Sequence, residues 1–162
     1  MDIALVRVDN RLVHGQIIEA WVPYVNAGII FVVDDDVAND FFRETVIKMA
    51  VPREVEVLVY SVDAFAASVP FKQGSGKHAI VLFSNISDAL RAFNLGFKFR
   101  KLNVGNVYNE DCRRQLSSCV LLSDQDMESI NKFLQNNVQI ELRRVPREKP
   151  SNVLSMPDAL NL

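Results

Sequence analysis

The sequence predicts an α/β fold with a doubly wound, mainly parallel central sheet and helices on both faces. Three observations point there. Short apolar runs rich in β-branched residues recur along the chain, each long enough for a strand and too short for a helix. Segments with helical spacing separate them, so strand and helix alternate. That alternation needs crossover connections, and crossovers bury a parallel sheet between helical layers.

The first strand is expected at Ile3-Ala4-Leu5-Val6, and the first helix starts near Gln16. A second strand follows at Gly28–Val33, then a helix whose apolar positions are Phe42, Val46, Met49 and Ala50. Val55–Val59 and Ala79–Phe83 read as the third and fourth strands. Between them Pro70–Lys77 is an exposed loop, with Gln73-Gly74-Ser75-Gly76 as its turn. The Gly76-Lys77 pair does not make a phosphate loop, because Phe71 and His78 stand where that pattern needs a glycine and a hydroxyl. Ile86, Ala89, Leu90 and Phe93 share one helical face, and Met127, Ile130 and Leu134 another. Ser123 followed by Asp126 is a capping signal for that last helix. Further strands are expected at Lys101–Val104, Val138–Leu142 and, shorter, Val120–Leu122. One domain spans 1–162, and the segment 145–162, with Pro146, Pro150 and Pro157, forms a tail that wraps the surface.

The bulk numbers fit a single core. At 162 residues a chain buries roughly 70% of its unfolded surface on folding. Hydrophobic residues at 49% and charged residues at 23% exclude a disordered or collagen-like chain. A net charge of −2, with Lys and Arg scattered, gives no field to attract nucleic acid. The cysteines Cys112 and Cys119 are too few for a disulfide framework, and the start MDIALVRVD has no signal-peptide pattern, so a reducing, cytoplasmic setting is expected. No apolar stretch reaches the 18 residues of a membrane span, so any transport role is played from outside the bilayer.

The chemistry concentrates in Arg7-Val8-Asp9-Asn10-Arg11-Leu12-Val13-His14-Gly15-Gln16, between the first strand and the first helix. Ligands of open α/β sheets collect beyond the carboxyl ends of the strands, and Asp9 to Gly15 is long for a plain connector. His14 has a neutral, nucleophilic ring nitrogen near pH 7, which suits a phosphoryl acceptor. Arg11 can supply the fixed cation that a transferring phosphoryl group needs. Gly15 and the helix start at Gln16 let backbone N–H groups approach an anion. Asp9 is placed to accept from the second imidazole nitrogen or to orient Arg11, and which nitrogen reacts stays open.

This run, followed by Trp21, resembles the phosphorylation-site signature of the mannose/fructose/sorbose family of enzyme IIB components of the bacterial phosphoenolpyruvate-dependent sugar phosphotransferase system. The likeness continues through Val33–Asp40, Met49-Ala50-Val51-Pro52, Leu102–Asn106 and Arg144-Val145-Pro146, nearly the whole chain in order. The resemblance implies an enzyme, a phosphohistidine–sugar phosphotransferase that takes phosphate from a IIA partner and passes it to a sugar bound in a IIC/IID membrane pair. By position His14 is the phosphorylated residue, Asp9 and Arg11 its polar neighbours, and Asp35 a family aspartate expected to face the same site. No cofactor and no metal are implied, and a homo-oligomer is compatible with the pattern.

Two segments depart from the family. Asp34 stands where asparagine is common and adds negative charge near a phosphate site. Asn109–Arg114 replaces a frequent glycine-lysine pair. Both motivate a second reading, a regulatory module that reports phosphorylation state without sugar transport. Simpler readings compete at individual residues. Asp9 and Arg11 can form an ordinary ion pair, and Asp34-Asp35-Asp36 fits helix capping better than metal binding. Trp21 fits core packing, His78 heads an apolar strand as a structural or exposed residue, and Asn103, Gly105 and Asn106 line the site or make a turn.

Overall fold

A computed structural model describes residues 2–68, 76–108, 114–117 and 119–153. Strand β1 (Asp2–Asp9) runs into a loop and a π-helical segment, Gln16–Trp21, which continues as α1 (Val22–Val25). There follow β2 (Ala27–Val33), α2 (Asp35–Ala38), α3 (Phe41–Met49), β3 (Glu56–Tyr60) and α4 (Val62–Ser68). The second half contains β4 (His78–Phe83), α5 (Ile86–Asn94), β5 (Lys101–Asn106), β6 (Arg114–Ser117) and β7 (Val120–Leu122). The chain ends in α6 (Asp124–Gln135), β8 (Gln139–Leu142) and β9 (Ser151–Asn152).

The main sheet has the order β3-β2-β4-β1-β5-β8-β9, parallel except for the antiparallel edge strand β9. Alternating residues of the strands feed two apolar layers. Val6, Val8, Phe31 and Val81 pack with Phe65, Ile86, Phe93 and Phe133, while Leu5, Ile30, Val32 and Leu82 pack with Ile17, Trp21 and Val37. Helices therefore cover both faces, as the alternation required. At the carboxyl ends of the central strands, the chain leaves β1 toward β2 on one side and leaves β5 toward β8 on the other. The β1/β5 boundary is thus the topological switch point, where an open sheet forms its crevice.

Several elements differ from the sequence expectation. β1 extends three residues past Val6, so Asp9 is the last residue of a strand rather than loop. The sequence reading omitted α4, β6 and β9, and β7 pairs with β6 in a separate two-stranded sheet instead of joining the main one. The capping box at Ser123 and Asp126 is present in full. The tail contributes β9 and the buried Val153, and residues 154–162 lie outside the described part, as do Cys112 and most of the Pro70–Lys77 loop.

The π-helical segment has a local cause. Pro23 has no N–H to return to the carbonyl four residues back, and the preceding Val22 N–H reaches Ile17 O, five residues back. Asn26, in the left-handed conformation, then closes the helix.

Candidate active site

The site is built around Asp9, whose side chain is fully buried at the end of β1. Its Oδ2 accepts from Arg7 Nη2 at 3.0 Å, Arg7 Nε at 3.2 Å, Asn106 Nδ2 at 2.9 Å and His14 Nε2 at 2.8 Å. Its Oδ1 accepts the Arg11 backbone N–H at 3.1 Å. A buried carboxylate is tolerable only with this kind of company. Burial pushes the Asp9 carboxyl up, but the His14 hydrogen bond, the Arg7 charge and the Asn106 amide outweigh it and hold the group below its ordinary value.

That direction sets a pH dependence. A carboxyl depressed in the fold stabilises it above the unfolded value, about 3.9, and loses that stabilisation as pH falls through the folded value. The denaturant midpoint is therefore expected to stay level near neutrality and to fall below about pH 4. A midpoint unchanged between about pH 5 and pH 2 contradicts the account.

Arg7 is the residue the sequence reading passed over. Its guanidinium has no solvent exposure and sits 5.4 Å from the centre of the Trp21 ring. Besides Asp9 it donates to Asn103 Oδ1, to Arg143 O at 2.8 Å and to Arg144 O at 3.1 Å. Burial pulls its pKa down, and the Asp9 charge opposes that. The available signal was a lone arginine inside an apolar strand. Gly105 makes the room: a Cβ there would overlap the Arg7 guanidinium. The pairing of β1 with β5 also skips Gly105, passing from Val8↔Val104 to Asp9↔Asn106, which brings the Asn106 amide to Asp9. Asn103, Gly105 and Asn106 thus line the site. Gly105→Ala is expected to destabilise the fold by about 1–3 kcal/mol, read by chemical denaturation, since the pinned arginine cannot step aside. Unchanged stability contradicts it.

The loop from Asn10 to Gly15 is held at both ends. Asn10 N donates to Asn106 O at 2.9 Å, and Leu12 N to Asp9 O at 2.9 Å. Leu12 adopts φ +53°, a left-handed conformation strained for a branched side chain, and its buried side chain packs with Ile17 and Trp21. This inward anchor turns the neighbouring residues outward. The His14 side chain is 15% exposed. Its carbonyl accepts from Ile17 N at 2.9 Å and Ile18 N at 3.1 Å, so the helix starts from the histidine itself.

Asp9 as a carboxylate only accepts, so Nε2 of His14 carries the hydrogen and Nδ1 keeps its lone pair in the neutral ring. Nδ1 has no hydrogen-bond partner among the described residues. The nitrogen left open by the sequence is thereby distinguished. Of the two partners considered for Asp9, the imidazole is the side chain it holds. Arg11 gives its backbone N–H, while its side chain, 51% exposed, has Nε 3.9 Å from Asp9 Oδ1 and Nη2 3.1 Å from Gln16 Oε1.

A cavity of about 1020 Å³ opens over this loop, lined by Arg11, His14, Gly15, Gln16, Tyr24, Val145, Pro146 and Arg147 among others. A Cβ on Gly15 would meet nothing within 4 Å, so that glycine faces open space beside the imidazole. Arg147 is a second exposed cation the sequence reading missed; its only signal was its place directly after Arg144-Val145-Pro146. Trp21 fixes that segment, donating Nε1–H to Arg144 O at 2.8 Å, and is otherwise core, as its spacing suggested.

Asp35 requires a correction. It was expected to face His14, but its carboxylate pairs with Arg91 at 2.7 Å and accepts from Val62 N at 2.9 Å, and it does not line the His14 cavity. The charge is satisfied within α2, α4 and α5, two strands away from β1. Asp34 caps α2 through Val37 N and accepts Ser84 Oγ at 2.5 Å, so its carboxylate is hydrogen-bonded where it lies, two strands from β1. The departure at 109–114 lies outside the described residues except for Arg114, whose backbone opens β6.

A family model described as PTS system sorbose subfamily IIB component matches residues 3–161. The PTS system fructose-specific EIIB component of Bacillus subtilis is 34% identical over 148 residues, 91% of this chain and 91% of that one. The crystal structure of the IIBSor domain of the sorbose permease from Klebsiella pneumoniae is 32% identical, with a TM-score of 0.85 over 95% of this chain and 94% of that one. The PTS system mannose-specific EIIAB component of Escherichia coli is 30% identical over 161 residues, 98% of this chain and 50% of that one.

Proposed function

Because the chain belongs to the sorbose subfamily of IIB components of the phosphotransferase system, we propose that His14 Nδ1 is its phosphoryl acceptor and that the group passes from a IIA phosphohistidine through His14 to a sugar. The observation that carries this reading is the hydrogen bond from His14 Nε2 to the buried Asp9, which leaves Nδ1 as the nucleophile. In the first step a bond forms from Nδ1 to phosphorus as the phosphorus–nitrogen bond of the IIA phosphohistidine breaks. In the second, a sugar hydroxyl oxygen attacks phosphorus and releases its proton to solvent, while the bond from phosphorus to Nδ1 breaks and returns its electron pair to the ring nitrogen.

Each residue has a part in this. Asp9, held ionised by Arg7, stabilises the imidazolium character that grows as Nδ1 gains phosphorus. Arg11 and Arg147 supply cations on the cavity side, and Gly15 and Gln16, at the start of a helix, line the same space. No metal or cofactor is needed for the transfer, because the covalent intermediate is carried by the histidine.

The finer partners follow from family membership: a IIA protein as donor and a IIC/IID membrane pair presenting the sugar. The E. coli relative named EIIAB supports the IIA link. No helix among the described residues is long and apolar enough to cross a membrane, which suits a cytoplasmic carrier that docks to a membrane pair. Relatives named for fructose, sorbose, mannose and N-acetylgalactosamine leave the sugar undetermined. Because Asp34 is engaged as the cap of α2 and does not line the His14 cavity, transport is favoured over a purely regulatory role.

Incubation with phosphoenolpyruvate, enzyme I, HPr and a cognate IIA protein is expected to add one acid-labile, base-stable phosphoryl group. Membrane vesicles holding the IIC/IID pair and its sugar should then discharge it. A stable label in the presence of those vesicles contradicts the transport reading.

A further inference from the structure

Helix α3 carries an apolar stripe that stays exposed among the described residues. Phe42, Val46 and Met49 have the spacing of a core-facing helix, yet no residue of α3 is buried. Phe41 is 83% exposed, Phe42 77% and Met49 81%. The stripe is continuous with the phosphorylation loop: a groove of about 250 Å³ runs between Asn10, Arg11 and Leu12 on one side and Phe42, Arg43, Val46 and Ile47 on the other. Arg11 lines both this groove and the His14 cavity, and the exposed Tyr24 stands at that cavity's far wall. His14 thus lies in a belt of exposed aromatic and apolar side chains.

We infer that the α3 stripe is the docking surface for the phosphorylated donor protein, an inference that rests on the phosphoryl-carrier reading above. Transfer between two histidines brings the reacting atoms to about 3–3.5 Å, so the donor's surface must cover the residues surrounding His14. A specific interface takes about 800 Å² on each side, which reaches well beyond the loop, and α3 is one of the elements that adjoin it. Aromatic residues, Met and Arg concentrate at the centres of such interfaces.

Charge selects the donor over other occupants. Before transfer the phosphate resides on the donor, while the Arg43 guanidinium forms no ion pair among the described residues, its backbone N–H alone donating to Asp40, and the Arg11 side chain is half exposed. The donor brings a phosphoryl dianion to these exposed arginines, which a neutral sugar or an unphosphorylated second copy of this chain does not.

The double substitution Phe42→Ala with Met49→Ala is expected to raise the apparent KM for the phosphorylated IIA protein about tenfold or more, with Arg43→Glu adding a further salt-dependent rise. Labelling of His14 by phosphoramidate, a small donor that needs no docking surface, is the companion measurement and should proceed at the wild-type rate. An unchanged KM overturns the inference. So does a wild-type dimer that the double variant dissociates, or a defect confined to discharge onto the sugar. Wild-type chain labelled at His14 by neither donor brings down the carrier reading itself, and the docking surface with it.

Discussion

His14→Ala is expected to abolish phosphoryl acceptance while leaving the fold intact. The side chain is partly exposed and its recorded hydrogen bond is the one to Asp9, so its removal opens a small solvent-accessible space rather than a core cavity. Asp9 keeps Arg7, Asn106 and the Arg11 N–H, so no buried charge is orphaned. Stability should change by less than about 1.5 kcal/mol, the net worth of a typical hydrogen bond. Labelling from a phosphorylated IIA protein, measured per chain by mass, should fall to nothing. A labelled variant would mean that another nucleophile carries the group, and the site would have to be sought elsewhere.

Asp9→Ala is expected to damage both fold and transfer. It leaves the Arg7 guanidinium inside the protein without its counter-charge, and breaking a buried pair in this way costs about 3–5 kcal/mol. The loss should appear directly as a lower denaturant midpoint. The transfer rate should fall by about 10²–10⁴ even under conditions where the variant remains folded, because His14 loses the acceptor that fixes its tautomer and steadies its positive charge. Asp9→Asn separates the two effects in part. It keeps the shape and one hydrogen bond, but an amide can present its N–H₂ to the imidazole and reverse the tautomer. A variant that is destabilised yet transfers at the wild-type rate would reduce Asp9 to a structural partner of Arg7.

Much of this site was legible from the chain because its chemistry is local. Asp9, Arg11, His14, Gly15 and Gln16 lie within eight residues, so one strand end and one helix start are enough to bring them close to one another. The alternating fold was legible for the same reason: a two-residue period and a helical period leave their marks in short windows. What escaped depends on long-range pairing. Arg7 was read only as the first residue after a strand ending at Val6, and the adjoining β5 shows why it is there, through Gly105 and Asn103.

Asp35 was misplaced by a similar limit. Its position at the end of β2 was read correctly, but whether it faces β1 depends on β4 lying between them and on Arg91 of α5, 56 residues further along, claiming the carboxylate. The π-helical segment was invisible for another reason. Pro23 within a short helix allows a kink or a break equally well, so its presence does not by itself announce a widened turn. The stripe on α3 misled in the opposite direction, since periodicity marks an apolar face and does not say what covers it.

The bond from His14 Nε2 to Asp9 leaves Nδ1 as the proposed phosphoryl acceptor. Nuclear magnetic resonance of the phosphorylated, histidine-¹⁵N-labelled protein tests this directly, through the coupling of phosphorus to one ring nitrogen. The expected spectrum places phosphorus on His14 Nδ1, with Nε2 still protonated and hydrogen-bonded. Phosphorus on Nε2 of His14, or on any other residue, would contradict it.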